Sequence, residues 1–251
     1  MTLEQLKELQ DDYKNLKEAL KKSINLVDKK KVNRFYIDAC SLDFHLFIYL
    51  FCDSNLWGEP SLYHYDFIKR VDEISRQTSR KNNMLKRAIK TKLNYISHRG
   101  SAKTTLTIAY IVYQVLYKRE KFIVLGSNDD NKAIETLKNV LNLLNDPLIQ
   151  TVYKPNITAS NTKELIVNDI KIIPRSIRQN WRGINFRQVR PTLILLDDIQ
   201  SEEMSYSASE RESGWKTFVE SIEPCVPSEE YPIQPTIILI NTALHPDSLC
   251  T

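Results

Sequence analysis

The chain has 251 residues, of which 42% are hydrophobic and 26% are charged. This composition supports one large α/β domain with a hydrophobic core and excludes a disordered or low-complexity chain. The formal net charge of +4 permits a polyanionic partner without requiring one.

The four cysteines lie far apart, without a C-x-x-C pair and without histidines at metal-binding spacing. We therefore expect free thiols in a reducing compartment and no zinc site. The first residues, MTLEQLKELQDDYK, are charged throughout and lack the pattern of a signal peptide. The apolar run FHLFIYLF at 44–51 is far shorter than the ~20 residues that span a bilayer, so we expect a soluble intracellular protein without a membrane partner.

The first part of the chain, residues 1–90, is predicted to form a helical arm or subdomain. Its apolar residues that recur at helical spacing are Leu3, Leu6, Tyr13, Leu16 and Leu20. Because charged residues fill most of the gaps, they indicate an amphipathic helix. Residues 31–91 also have a mostly helical pattern, broken near 58–60. The run from Lys69 to Lys92 carries nine Lys or Arg, typical of a solvated helix face or of a surface for a phosphate backbone.

From about residue 92 the pattern changes, and residues 91–251 are predicted to form a second unit. The runs that predict strands are LNYIS, FIVLGS at 122–127, TLILLDD at 192–198 and TIILINT at 236–242. Helical spacing is found in TTLTIAYIVYQVLYK, NDDNKAIETLKNVLNLLND and SASERESGWKTFVESI, and ELIVNDIKIIP predicts a hairpin. Fully apolar strands that alternate with helices imply a mainly parallel sheet covered on both faces.

The polar loop HRGSAKTT lies between the first of these strands and the following helix. It is similar to the phosphate-binding pattern G-x-x-x-x-G-K-[ST], with Ser97 and Ala102 in place of the two glycines and Gly100 in the middle. Both replacements are small enough for close backbone approach as long as their φ angles are negative. Backbone N–H groups and the helix N-terminus can face a phosphate here. Lys103 would reach the β- and γ-phosphates, and the hydroxyl of Thr104 would bind Mg²⁺.

Two later strands end in polar residues at the edge where the loop is expected. Asp197 ends a buried strand and can hold Mg²⁺ through water, and Asp198 follows it and can polarise an attacking water. Because neighbouring residues of a strand point to opposite faces, we expect these two carboxylates to have separate roles. Asn241 and Thr242 end the last strand, where small polar groups can sense the γ-phosphate and pass on its loss.

Together these segments resemble the ATPase domain of the large terminase subunits of tailed bacteriophages, the motors that package viral DNA. The resemblance covers roughly residues 90–250. It rests on the order and spacing of HRGSAKTT, GSNDDNKAIETLKNVLNLLNDP, RGINFRQVRPTLILLDDI and INTALHPDSL. It implies a P-loop NTPase fold of the RecA/ASCE type with a mainly parallel sheet flanked by helices. The nucleotide-binding residues that follow are Ser97, His98, Arg99, Gly100, Ser101, Ala102, Lys103, Thr104, Thr105, Asn241 and Thr242, with Thr104 and Asp197 at the metal.

The function that this resemblance implies is hydrolysis of ATP, with Mg²⁺, to drive double-stranded DNA into a procapsid in the host cytoplasm. The implied partners are double-stranded DNA, the portal protein, the small terminase subunit and further copies of this chain in a pentameric ring, with a monomer in isolation. The sequence ends after the coupling motif, so we expect an isolated motor domain without nuclease activity.

The sequence also departs from the family pattern. Asp198 stands where a glutamate often follows the magnesium aspartate, which leaves Glu202 or Glu203 as alternative catalytic carboxylates. The usual Gly-Thr of the coupling motif is Asn241-Thr242 here.

Arginines are expected to complete the site in two ways. Arg99, inside the loop, resembles the loop arginine of many terminases and would act on the γ-phosphate of its own subunit. Arg178, Arg182, Arg187 and Arg190 lie just before the acidic strand. One of them, with Arg182 and Arg187 as candidates, would act on a neighbouring subunit in a ring; the alternative for the cluster is a basic surface.

Two other functions stay open on the sequence alone. One is another P-loop nucleic-acid ATPase, such as a helicase core. The other is a DNA-binding or procapsid-binding module whose loop no longer hydrolyses ATP. The missing glycines favour the binding module, whereas the retained lysine, threonine and paired aspartates oppose it.

Overall fold

The computed structural model describes residues 2–23, 29–52, 61–79, 91–227, 235–242 and 244. The expected break at 58–60, most of the end of INTALHPDSL, Cys250 and residues 80–90 of the basic run lie outside these ranges. Within them, Cys40, Cys52 and Cys225 are buried free thiols, as predicted. Searching the same residues finds no helix that is both long enough and apolar enough to cross a membrane.

Four helices make up the described part of residues 1–90. They are α1 (Leu3–Ser23), α2 (Lys29–Ser41), α3 (Phe44–Phe51) and α4 (Leu62–Ser79). The amphipathic prediction for α1 is confirmed at Leu6, Tyr13 and Leu20, which are buried on one face, whereas Leu3 and Leu16 are exposed. The apolar run predicted not to span a membrane is α3, a buried helix whose N-terminus is capped by the carboxylate of Asp43.

The rest of the chain alternates strands and helices. The strands are β1 (Thr91–Ser97), β2 (Phe122–Ser127), β3 (Ile157–Ser160), β4 (Leu165–Val167), β5 (Ile170–Ser176), β6 (Leu193–Asp197) and β7 (Thr236–Thr242). The helices are α5 (Lys103–Leu116), α6 (Asp130–Leu144), α7 (Pro147–Val152), α8 (Glu202–Tyr206) and α9 (Ala208–Thr217). A π-helical turn (Phe218–Ile222) and a 3-10 turn (Glu223–Cys225) continue α9.

All seven strands form one sheet in the order β1-β7-β6-β2-β5-β4-β3. β1, β7, β6, β2 and β5 are mutually parallel. β4 pairs antiparallel with β5, and β3 pairs antiparallel with β4. The predicted hairpin turns at Asn168 and Asp169, whose φ angles of +52° and +66° are those of a tight two-residue turn. The α/β fold with a mainly parallel sheet flanked by helices is therefore confirmed.

The sheet carries a hydrophobic layer on each face. One layer packs against α5, α6 and the N-terminal helices and forms a single buried cluster, which includes Tyr13 of α1 and Ile240 of β7. The other is covered by Trp181 and by the π-helical turn, with Phe218 and Ile222 buried. The helical region thus shares a core with the sheet, and the proposed domain boundary at residue 90 stays a prediction.

The strand order determines where polar residues meet. The carboxyl ends of parallel strands lie at one edge of a sheet, and ligands bind outside that edge in open α/β folds. Here β7 lies between β1, which leads into the loop, and β6, which ends at Asp197. Ser97, Thr242 and Asp197 therefore stand side by side at this edge.

Candidate active site

The loop after β1 enters α5 through two residues of left-handed backbone. Gly100 has φ +76° and Ala102, directly before the helix, has φ +53°. The condition of a negative φ, set above for close backbone approach, is not met at Ala102, because this position of the loop takes the conformation that its usual glycine provides. An alanine there costs roughly 1–2 kcal/mol through the contact between Cβ and the backbone.

Two hydroxyls close the base of the loop. Ser97 Oγ donates to Ser101 Oγ over 2.5 Å, and both residues are buried. The loop then presents His98, Arg99 and Gly100 on the outside, all three exposed. The first N–H groups of α5 have no partner within the helix, so they are suited to bind an anion at this point.

The amine of Lys103 lies between the loop and the end of β7. Its Nζ donates to His98 O over 3.1 Å and to Thr242 Oγ1 over 3.0 Å. The side chain is buried, and these bonds use two of the three donors of an ammonium group. The predicted phosphate-binding lysine is thus at the expected edge, held by its own chain.

Thr104 and Asp197, the two predicted metal ligands, are in direct contact. Thr104 Oγ1 donates to Asp197 Oδ2 over 2.6 Å. The other oxygen, Asp197 Oδ1, is buried and accepts no hydrogen bond in the described part of the chain. Burial raises the pKa of Asp197 to about 6; the bond from Thr104 lowers it, the charge of Asp198 raises it, and Lys103 and Lys132 lower it.

These groups fit a magnesium ion that bridges the protein to a phosphate. Mg²⁺ prefers oxygen ligands and is usually held by one or two carboxylates together with phosphate oxygens and water. A buried carboxylate oxygen without a hydrogen bond is costly unless a cation or donor satisfies it. Among the described residues no three His, Cys, Asp or Glu side chains converge. The hydroxyl and the carboxylate would therefore supply the protein ligands, and a nucleotide the rest.

Asp198 does not continue the strand. Its φ is +43°, and β6 ends at Asp197, so the expected alternation of the two carboxylates across a strand is wrong. Asp198 Oδ1 accepts from Thr242 N over 3.2 Å and lies 3.3 Å from Thr242 Oγ1. Asn241 Oδ1 accepts from Ile199 N over 3.0 Å. The predicted sensing pair thus holds the chain that leaves β6.

A cavity of about 380 Å³ opens beside these groups. Its lining includes the predicted residues Arg99, Asp198, Glu202, Glu203 and Thr242. It also includes Asn128, Lys132 and Gln200, which the sequence analysis missed. Asn128 directly follows β2, just as Asp198 directly follows β6. A search for polar residues directly after each predicted parallel strand would therefore have found Asn128.

The structure separates the predicted arginines. Arg99 Nη2 forms an ion pair with Glu202 Oε1 over 2.8 Å at the rim of the cavity, where both side chains are largely exposed. Arg187 pairs with Asp169 over 3.5 Å, at the turn that enters β5. That turn lies at the opposite edge of the sheet from the loop. Only a neighbouring subunit's nucleotide could therefore be reached by Arg187.

Two further arginines lie on the surface beside the 3-10 turn. Arg190 donates to Pro224 O over 3.0 Å. Arg182 is exposed, and it lines a small cavity together with Arg190 and Pro224. Arg178 is exposed as well. Thr105 lies in the first turn of α5 and is partly exposed. Arg182, Arg187 and Arg190 thus form no part of the edge where Lys103 and Asp197 lie, whereas Arg178 follows the carboxyl end of β5.

Comparisons with known proteins show a similarity of fold but no match of sequence. No family model matches the sequence, and no curated protein matches it. The crystal structure of the HK97 bacteriophage large terminase matches with a TM-score of 0.47 and 16% sequence identity. The fold is similar to that of a bacteriophage large terminase. The match covers 80% of this chain and 37% of the terminase chain, so the present chain spans little more than a third of that protein's length.

Proposed function

We propose that this chain is a Mg²⁺-dependent ATPase that drives double-stranded DNA into a procapsid. The observation that carries the ATPase proposal is the contact between Thr104 Oγ1 and Asp197 Oδ2, beside the buried oxygen Asp197 Oδ1. A phosphate loop and an acidic strand meet there as a Mg·ATP site requires.

Three parts of the chain would bind the nucleotide. The N–H groups at the start of α5 would donate to phosphate oxygens, and the helix dipole would favour their negative charge. Lys103 would add a charge-assisted hydrogen bond to the β- and γ-phosphates, worth about 1.5–3 kcal/mol. Thr104 and Asp197 would hold the magnesium ion, which neutralises charge on the transferring phosphoryl group.

Asp198 is the proposed group that acts on the attacking water. Thr242 engages its Oδ1, which leaves Oδ2 to accept a hydrogen bond from water. Asp198 Oδ2 would orient the water for in-line attack on the γ-phosphorus and take up its proton. Glu203 lines the same cavity and is the alternative carboxylate.

One hydroxyl links the loop to the segment after β7. Thr242 Oγ1 accepts from Lys103 Nζ and lies within hydrogen-bond distance of Asp198 Oδ1. If the lysine turned to a γ-phosphate it would release Thr242, and loss of the phosphate would restore the bond. This exchange is a physical route by which hydrolysis could move the chain beyond β7.

The DNA-packaging role rests on the sequence motifs rather than on a contact in the fold. Their order resembles that of large terminases, and the net charge of +4 is compatible with a polyanionic track. In this proposal the chain works on the portal with the small terminase subunit, as one copy in a ring.

A binding module without hydrolysis is the second candidate. It is favoured by the present state of Lys103, whose amine is bonded to His98 O and to Thr242. It is also favoured by Ala102, which occupies a left-handed position at a steric cost.

The test is ATP turnover with Mg²⁺, with and without double-stranded DNA. Lys103→Ala should lower kcat at least 100-fold, because the transition state loses a positioned charge. The matched control is Lys138→Ala, an exposed lysine on α6, which should leave the rate unchanged. Equal rates for wild type and Lys103→Ala would exclude hydrolysis at this site. Tight ATP binding without turnover, even with DNA, would favour the binding module, and turnover indifferent to DNA would argue against a motor.

A further inference from the structure

The loop at residues 98–102, which we propose binds phosphate, contains one peptide unit in a sterically unfavourable conformation. This unit joins Ser101 to Ala102, and Ala102 has φ +53°. In the common phosphate-loop pattern a glycine stands here, and glycine adopts positive φ without steric cost. Alanine does not, so another interaction has to stabilise this backbone conformation.

That interaction comes from outside the loop, from α4. The carbonyl of Ser101 belongs to the peptide unit in question and lies 2.9 Å from His64 Nε2. The other ring nitrogen, Nδ1, accepts a hydrogen bond from Ser61 N over 3.1 Å. Because Nδ1 is an acceptor, the neutral ring carries its proton on Nε2, which therefore donates to Ser101.

A neutral ring also agrees with its surroundings. Burial lowers the pKa of His64; the hydrogen bond to Ser101 acts against this shift, and the nearby His98 adds to it. The ring is therefore in the form that can accept from Ser61 and donate to the loop simultaneously.

The first turn of α4, which carries this histidine, is fastened to β1. Tyr95 OH lies within hydrogen-bond distance of two acceptors, Tyr63 O at 3.0 Å and Asp66 Oδ2 at 3.2 Å, and donates its one proton to them. The rings of Tyr63 and Tyr95 lie 5.0 Å apart. The donor to the loop is thus held in a fixed position, which reduces the entropy that the bond costs.

We infer that His64 is a positioning residue of the nucleotide site, which holds the Ser101 carbonyl and so replaces the conformational freedom of the missing glycine at position 102. The N-terminal helical region, through α4, thereby contributes a residue that stabilises the site. This inference rests on the proposed function for its purpose, but it concerns the backbone of the nucleotide-free chain and is measurable there.

The first measurement is hydrogen exchange of the amides of residues 98–102 without nucleotide. His64→Phe keeps a ring of similar size and removes the donor, and His64→Gln keeps an N–H near the position of Nε2. His64→Phe should accelerate exchange in the loop about five- to tenfold, the factor expected for one neutral hydrogen bond. His64→Gln should exchange like wild type. With ATP, His64→Phe should raise KM by a similar factor and leave kcat nearly unchanged.

The second measurement repeats the comparison in an Ala102→Gly background. Glycine needs no support at φ +53°, so His64→Phe should now accelerate loop exchange less than twofold. A general contribution of His64 to folding would give the same acceleration in both backgrounds, and that result would overturn the inference. Equal defects in His64→Gln and His64→Phe would also overturn it. If the exchange pattern holds and wild type binds no ATP, the loop support stands and the proposed function fails.

Discussion

The hydroxyl of Thr104 lies 2.6 Å from Asp197 Oδ2, a contact between residues 93 positions apart in the sequence. It joins the first turn of α5 to the end of β6 at the edge where Lys103 meets Thr242. A hydroxyl and a buried carboxylate at this distance can share one cation with little movement of either side chain.

Substitution of Asp198 identifies the catalytic carboxylate. Asp198→Asn keeps Oδ1 as an acceptor for Thr242 and removes the negative charge, so ATP binding should stay within about threefold of wild type. We expect kcat to fall by about 10²–10⁴, the usual contribution of a general base. Single-turnover kinetics with a binding isotherm separate the two effects. Glu203→Gln is the matched control, and a loss of kcat there with normal turnover in Asp198→Asn would reassign the role.

Arg99 is predicted to act on the γ-phosphate bound by its own subunit. A positive charge at the transferring phosphoryl group is worth roughly 10³–10⁵ in rate. Arg99 is held by Glu202, so Arg99→Ala should reduce kcat while Glu202→Gln, which loosens the ion pair, should not. Failure of Arg99→Ala to change kcat would remove it from the site.

A charge supplied by a neighbour is detected by mixing variants. Subunits with Lys103→Ala and subunits with Arg182→Ala or Arg187→Ala are each expected to be inactive alone. A mixture should regain activity, because the first variant can donate an arginine to the intact loop of the second. Activity should also rise steeply with protein concentration. If no mixture is active, neither Arg182 nor Arg187 acts across an interface.

The loop backbone predicts a stabilising substitution. Ala102→Gly removes a steric cost of roughly 1–2 kcal/mol and adds about 0.4–1 kcal/mol of unfolded-state entropy. The free energy of unfolding should therefore rise by about 0.5–1 kcal/mol in urea titrations. Ala109→Gly, a control in the interior of α5, should lower it by about 1 kcal/mol or more. A loss of stability in Ala102→Gly would mean that the left-handed conformation is absent.

Buried Glu120 predicts a pH dependence of stability. Burial raises its pKa to about 7, against the effects of a bond from Thr192 and the charge of Arg119. Because the pKa is raised above the unfolded value of 4.5, the stabilising effect of the protonated form is complete below about pH 4.5 and is lost as the pH rises through 7. The loss is on the order of 3 kcal/mol.

Glu120→Gln tests this directly, since the amide resembles the protonated acid. It should be more stable than wild type by up to about 3 kcal/mol at pH 8.5 and nearly equal to it at pH 5. Glu135→Gln, on the exposed side of α6, should show little change at either pH. A constant difference between Glu120→Gln and wild type at both pH values would show that Glu120 does not titrate near 7.

Much of the fold follows from the sequence because its strands are continuous apolar runs bounded by turn residues. FIVLGS and TIILINT are β2 and β7 without a change of boundary. The hairpin follows from Asn168 and Asp169, two residue types that tolerate positive φ. Patterns of this kind are local, and local patterns are what a single sequence carries.

The errors have long-range causes. Ala102 takes a positive φ where His64 holds the preceding carbonyl from another helix, a contact across 37 residues. Asp198 leaves the strand conformation where Thr242, 44 residues later, binds its carboxylate. No local propensity indicates either contact, so the loop's support and the direction of the second carboxylate were not predictable from their neighbours.

The most direct test of the account is a crystal structure with a non-hydrolysable ATP analogue and Mg²⁺. The account predicts Mg²⁺ about 2.1 Å from Thr104 Oγ1, with the carboxylate of Asp197 bound to it directly or through one water. It also predicts that Lys103 Nζ leaves Thr242 for the β- and γ-phosphates. An analogue bound away from residues 98–104, or Mg²⁺ held without Thr104 and Asp197, would contradict it.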